Sequence, residues 1–156
     1  MSPSARLNCL WNGRGATMKL LGIDYGRKRI GCAVTDETGR IVRGLTTLKR
    51  KNNISLLDEL HTIIQKEKPH ALVFGLPLGY NEQETEMSRE IRKFADSVKI
   101  QSGLPVHLID ESNTSHAATM MLRSQKKKYR RDKKNIDRIA ACLILDAFIR
   151  EQECGC

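Results

Sequence analysis

Residues 19–48 read KLLGIDYGRKRIGCAVTDETGRIVRGLTTL, and this stretch decides the fold. Lys19–Asp24 is a short apolar run that ends at an acid and a turn, Tyr25-Gly26. Arg29–Asp36 is a second such run, closed by Glu37-Thr38-Gly39, and Ile41–Leu48 follows directly. Three strand-like segments with short connections predict an antiparallel meander.

Downstream the periodicity changes. In Asn53–Lys68, residues Ile54, Leu57, Leu60, Ile63 and Ile64 recur at helical spacing, and Pro69 ends the helix. Ala71–Gly75 (ALVFG) is a buried-type strand stopped by Leu76-Pro77. Glu82–Ser102 is helical through Met87, Ile91, Phe94, Ala95 and Val98, up to Gly103. Val106–Ile109 is a fifth strand. A helix from about Thr114 to Arg123, a basic segment and a last helix over Ile136–Arg150 complete the chain. The order β-β-β-α-β-α-β-α-α predicts an α/β domain, a mixed five-stranded sheet with helices on both faces. ALVFG and VHLI lack alternation, as central strands covered on both sides do.

The chain has 156 residues, 40% of them hydrophobic, enough for one domain with its own core. We place that domain at residues 18–150, after a loosely attached extension (1–17) and before a tail (151–156). No apolar run approaches the roughly 20 residues that span a bilayer, so a soluble, cytoplasmic protein is expected. The cysteines (Cys9, Cys32, Cys142, Cys154, Cys156) show no metal-site spacing; Cys32 and Cys142 fall in apolar segments and read as core residues. The net charge of +9 is concentrated. Residues 123–134, RSQKKKYRRDKK, carry eight basic side chains against Asp132, leaving +2 for the remainder. Such a patch points to nucleic acid or an acidic membrane surface, with a solvated loop as the plain alternative.

In open α/β sheets, ligands collect outside the carboxyl ends of parallel strands. Two predicted strands end there in acids, at Asp24 and at Asp110-Glu111, and Asp137 opens the last helix at the edge of its apolar stripe. Clustered carboxylates at such a rim suit hard cations, Mg²⁺ or Mn²⁺. Singly, each acid has a structural reading: a turn former at Asp24, an exposed acid at Glu111, a helix-dipole partner at Asp137. Read together they suggest a shared divalent site with catalytic capacity. Lys28 and Arg29, just past Asp24, suit flanking phosphates, or are simply an exposed turn. Lys126, Lys127, Lys128, Arg130, Arg131, Lys133 and Lys134 form the larger candidate nucleic-acid contact.

Several pieces resemble the YqgF-type family of candidate pre-16S rRNA nucleases and Holliday-junction-resolvase-like proteins. They are Gly22-Ile23-Asp24-Tyr25-Gly26, Lys28-Arg29-Ile30-Gly31, Ala33-Val34-Thr35-Asp36, Gly75-Leu76-Pro77-Leu78, Asp110-Glu111 leading to Thr114, and Asp137 before Ala140-Ala141 and Ile144-Leu145. The resemblance covers about residues 19–150. It implies an RNase H-like fold, a hydrolase of phosphodiester bonds with Asp24, Glu111 and Asp137 as catalytic and metal-binding acids, and Mg²⁺ or Mn²⁺ as cofactor. It also implies a role in maturing the 5′ end of 16S rRNA, with pre-rRNA and ribosome precursors as partners, or else DNA-junction resolution. The family pattern has Arg after the glutamate and Asn after Gly-Leu-Pro-Leu; here Ser112 and Gly79 stand instead, which bears on substrate grip. The first motif also resembles the phosphate loop of actin-like ATPases and sugar kinases, but only 125 residues follow Gly31, with no Gly-Gly. A non-catalytic nucleic-acid-binding assembly factor is the other rival.

Overall fold

Leu20–Tyr25 (β1) is an apolar strand because both of its faces are covered. Leu21, Ile23 and Tyr25 point to one hydrophobic cluster and Leu20 to another, across the sheet. The computed structural model describes residues 18–77, 83–110 and 133–154, with side chains over 138–152 in the last segment. In those residues β1 is followed by Arg29–Thr35 (β2), Val42–Lys49 (β3), Asn53–Glu67 (α1), Ala71–Leu76 (β4), Glu86–Ser102 (α2), Val106–Asp110 (β5) and Lys133–Cys154 (α3). One mixed sheet runs β3-β2-β1-β4-β5. The meander β1-β2-β3 is antiparallel, and β1, β4 and β5 are parallel, as the element order predicts. The expected helix at Thr114–Arg123 and the extension 1–17 lie outside the described residues.

Helices α1 and α2 cover one face. Leu56, Leu60 and Ile64 of α1, with Ile91, Phe94 and Val98 of α2, pack on Leu21, Ile23, Leu72 and Phe74. On the other face, Ala141, Ile144, Leu145 and Phe148 of α3 pack on Leu20, Ala33, Val73 and Ile109. Gly22 permits that contact, since a Cβ there would lie 2.5 Å from Leu145 Cγ. Helix α3 crosses the strands obliquely. Its Arg138 lies against Gly44 of β3, and its Phe148 ring is 5.2 Å from His107 of β5.

Two helices depart from the periodicity by three residues or more. The second helix starts at Glu86 rather than Glu82, because Thr85 caps it: Ser88 N–H donates to Thr85 Oγ1 at 3.0 Å, and Thr85 N–H donates to Ser88 Oγ at 2.7 Å. The last helix runs over Lys133–Cys154 rather than Ile136–Arg150, so Lys133 and Lys134 belong to its first turn. Asn52 caps α1 by accepting from Ser55 N–H at 2.7 Å, and Lys68 closes it in a left-handed conformation before Pro69. Among the described residues no helix is long and apolar enough to cross a membrane.

His107 is buried against Phe148, and among the described residues nothing bonds its Nε2. Burial, then nearby Lys99, hold this imidazole below its ordinary range. The folded state therefore resists protonation that the unfolded chain accepts near pH ~6.5. The stability this contributes is complete above that pH and declines as pH falls through it toward the lower folded value. Melting temperature measured from pH ~7 to ~5 should drop more steeply for wild type than for His107→Phe. Parallel curves for the two proteins would refute it.

Candidate functional site

Parallel pairing sets the carboxyl ends of β1, β4 and β5 side by side. Asp24 sits near the end of β1 and pairs with Gly31 of β2, which pairs with Thr47 of β3. One step beyond the Ile23–Phe74 pair, Asp24 lies beside Gly75, which pairs with Ile109. Ile109 belongs to the cluster under α3, so the row Ile109-Gly75-Asp24-Gly31-Thr47 faces α3 by strand alternation. Asp24, half-buried, is thus flanked on both neighbouring strands by residues without side chains. Its negative charge reaches through the sheet: burial first, and then Asp24, push the Cys32 thiol up to about 12. Cys32 is accordingly an inert core thiol, and Cys142 is half-buried with its thiol raised mainly by burial.

Of the three predicted acids, Asp24 is the one whose side chain is described. Asp137 is the fifth residue of α3, past its first turn and one residue before the Arg138 that packs on Gly44; its side chain is outside the described set. Glu111, directly after β5, is outside the described residues. Asp110 pairs with Leu76, whose side chain faces the α1–α2 core, so Asp110 belongs to the opposite face from Asp24. Among the described residues no three metal-ligating side chains form a group. Lys126, Lys127, Lys128, Arg130 and Arg131 also lie outside the described residues, and Lys133 and Lys134 are placed only as helical backbone. Lys28 is exposed and Arg29 half-exposed at the start of β2.

Next to this row is a cluster that periodicity does not reveal. The Tyr25 hydroxyl donates to Glu90 Oε1 at 3.0 Å, and Arg50 Nη2 donates to the same oxygen. The Arg50 guanidinium lies 4.8 Å above the Tyr25 ring centre, and its Nη1 donates to Arg27 O at 3.4 Å. Arg50 N–H donates to Lys28 O at 3.0 Å. Within the turn, Gly26 N–H donates to Arg29 O at 3.0 Å, and a Cβ on Gly26 would lie 2.5 Å from that oxygen. Burial raises the Tyr25 hydroxyl, and Arg50 opposes that rise. Arg50 therefore joins the end of β3, the β1–β2 turn and α2. Its partners lie 25 and 40 positions away in sequence on different elements, and no local pattern marks them.

A family model described as "RuvX: Holliday junction resolvase" matches residues 18–151. A protein of Koribacter versatilis named "Putative pre-16S rRNA nuclease" is 35% identical over 134 residues, 86% of this chain and 88% of that one. A protein of the same name from Rippkaea orientalis is 38% identical over 129 residues, 83% of this chain and 93% of its own. Among solved structures, Thermus thermophilus RuvC in complex with a Holliday junction substrate superposes with a TM-score of 0.59 at 17% identity. It covers 86% of this chain and 96% of that one. The yeast mitochondrial Holliday junction resolvase gives a TM-score of 0.53 at 16% identity, over 98% of this chain and 87% of its own. These two likenesses concern the fold, which is RNase H-like.

Proposed function

Because this chain belongs to the RuvX (YqgF-type) family of nucleases, we propose that it is a divalent-metal-dependent nuclease acting in 5′-end processing of pre-16S rRNA. The observation that carries the reading is Asp24 at the carboxyl end of a central strand, with Gly31 and Gly75 on either side. A carboxylate is a hard oxygen donor of the kind Mg²⁺ and Mn²⁺ prefer, and the glycines on either side bring no side chain of their own to compete for it. Asp24 therefore suits Mg²⁺ or Mn²⁺, which Asp24, Glu111 and Asp137 would hold together. When bound, such ions supply an activated water and offset the charge on the leaving oxygen.

The chain's own residues do the rest. Asp24, rigid in a paired strand, fixes where the scissile phosphate must sit. Lys28 and Arg29, where the β1–β2 turn enters β2, hold flanking phosphates without reading bases. The basic segment, with Lys126, Lys127, Lys128, Arg130, Arg131, Lys133 and Lys134, feeds into α3 and adds further phosphate contacts. Backbone contacts of this kind select shape over sequence, which agrees with a precursor RNA, free or within a ribosome precursor, as substrate. The family's description as a Holliday junction resolvase makes a four-way DNA junction the second candidate.

Purified protein should be offered a 16S precursor RNA, a four-way DNA junction and plain single strands, in Mg²⁺, in Mn²⁺ and in chelator. Cleavage of the precursor near the 5′ end of 16S rRNA, abolished by chelator, is the expected result. Cutting confined to the junction replaces the RNA assignment. Binding without cutting of any substrate rejects the nuclease in favour of an assembly factor.

A further inference from the structure

The sequence carries two basic triplets, Arg27-Lys28-Arg29 and Lys49-Arg50-Lys51, 22 residues apart in register. Folding makes them neighbours: Arg29 pairs with Lys49, and Arg50 N–H donates to Lys28 O at 3.0 Å. We propose that these triplets form a single phosphate-binding ridge that delivers a nucleic-acid strand to Asp24, with Arg50 turned inward as its anchor. The inference rests on the nuclease reading above and adds a surface to it.

Alternation places the parts. Asp24, Gly31 and Thr47 share one row facing α3, and Arg29 and Lys49 stand two residues further along the same face, about 7 Å away. A phosphate held by Arg29 and Lys49 therefore brings its neighbour on the strand to Asp24. Arg50 falls on the opposite face, where Glu90 and the Tyr25 ring hold it. Arg27, Lys28, Lys49 and Lys51 are exposed, so four of the six members present their charge to solvent while Glu90 offsets the inward one.

Two features argue for an anionic occupant. Four exposed cations, Arg27, Lys28, Lys49 and Lys51, are brought together by the β2–β3 pairing, and an anion bound among them relieves their mutual repulsion. The ridge is also held in shape before binding, because Arg50 ties Arg27 O, Lys28 O, Glu90 and Tyr25 together. A preformed surface loses little conformational freedom on association. The position beside Asp24, on its own face, selects a nucleic-acid backbone over an anionic membrane.

The test uses full-length protein in an Asp24→Asn background, so that substrate stays intact. Fluorescence anisotropy follows binding to an RNA duplex and to an RNA single strand through a salt titration, and anionic vesicles serve as a third ligand. Lys49→Ala/Lys51→Ala should reduce the slope of log affinity against log salt by about 1.8 on duplex and about 1.4 on single strand. Affinity at moderate salt should fall roughly five- to tenfold per lysine. Arg50→Lys keeps the charge but cannot hold the turn; combined with Lys28→Ala it should cost less than the sum of the two changes, in a protein whose melting and circular dichroism confirm folding. Unchanged affinity and slope in the double lysine variant, or vesicle binding alone being affected, overturns the ridge and leaves the nuclease reading standing. Wild-type protein that binds no nucleic acid overturns both.

Discussion

Asp24→Asn should reduce metal-dependent cleavage by about a thousandfold or more while leaving nucleic-acid binding largely intact. The cause is electrostatic. Asn is nearly the same shape as Asp, so β1 keeps its pairing with Gly31 and its place beside Gly75. What is lost is a fixed negative charge, and with it the grip on the cation that offsets charge in the transition state. That stabilisation amounts to several kcal/mol, and each 1.36 kcal/mol is a factor of about ten in rate. A second readout keeps the result independent of turnover. Mn²⁺ should raise the melting temperature of wild type, because it binds the folded form alone, and should raise that of the variant much less. Full activity in Asp24→Asn, reproduced in separate preparations, would remove the proposed centre. Loss of activity together with loss of binding would instead indicate a damaged fold.

Replacing Gly22 should destabilise the fold markedly. A Cβ there would lie 2.5 Å from Leu145 Cγ and 3.0 Å from both of its methyl carbons. Leu145 is fully buried between α3 and the sheet, and Ala33 and Val73 belong to the same cluster, so relief requires the helix to lift or the leucine to leave its rotamer. Overpacking of this kind costs about 1–3 kcal/mol, so Gly22→Ala should shift the denaturation midpoint clearly and Gly22→Val more. Leu145→Ala alone should cost about 2–5 kcal/mol through the cavity it opens. Together, Gly22→Ala and Leu145→Ala should cost less than their sum, since the added methyl occupies part of the vacated space. Strict additivity in urea titrations would mean that α3 does not press on Gly22 in solution.

The fold was readable because its signals are local. Unbroken apolar runs mark the strands, although VHLI, which reads as a central strand, is the edge strand β5 with Leu108 exposed. Residues 53–68 show a helical repeat at Leu57, Leu60, Ile63 and Ile64, while Ile54 of that repeat is exposed and Leu56 is buried in its place. Ends were harder. Thr85 and Ser88 form a reciprocal cap that uses serine where glutamate is the usual signal, and this set the start of α2 four residues later than the apolar spacing indicated. At the site, Asp24 was found from its place at a strand end, whereas its glycine neighbours become meaningful only once pairing is known. Gly31 and Gly75 sit in ordinary strand sequences, and nothing near either residue says that an acid lies between them. Arg50 and Glu90 were invisible for the same reason. Charge at residues 49–51 looks like a solvated strand end until the antiparallel register carries it to residues 27–29.

That register has one more consequence. The pairing that sets Asp24 against Gly31 also sets Arg29 against Lys49, because β2 is the common partner of both neighbours. Side chains alternate with a period of two, so sliding β2 by a single position would turn Arg29 to the α1–α2 face and seat Lys28 or Ile30 opposite Lys49. Anchor and acid are therefore mechanically one part. Insertions or deletions in the β1–β2 connection would be expected to shift the proposed phosphate ridge relative to Asp24.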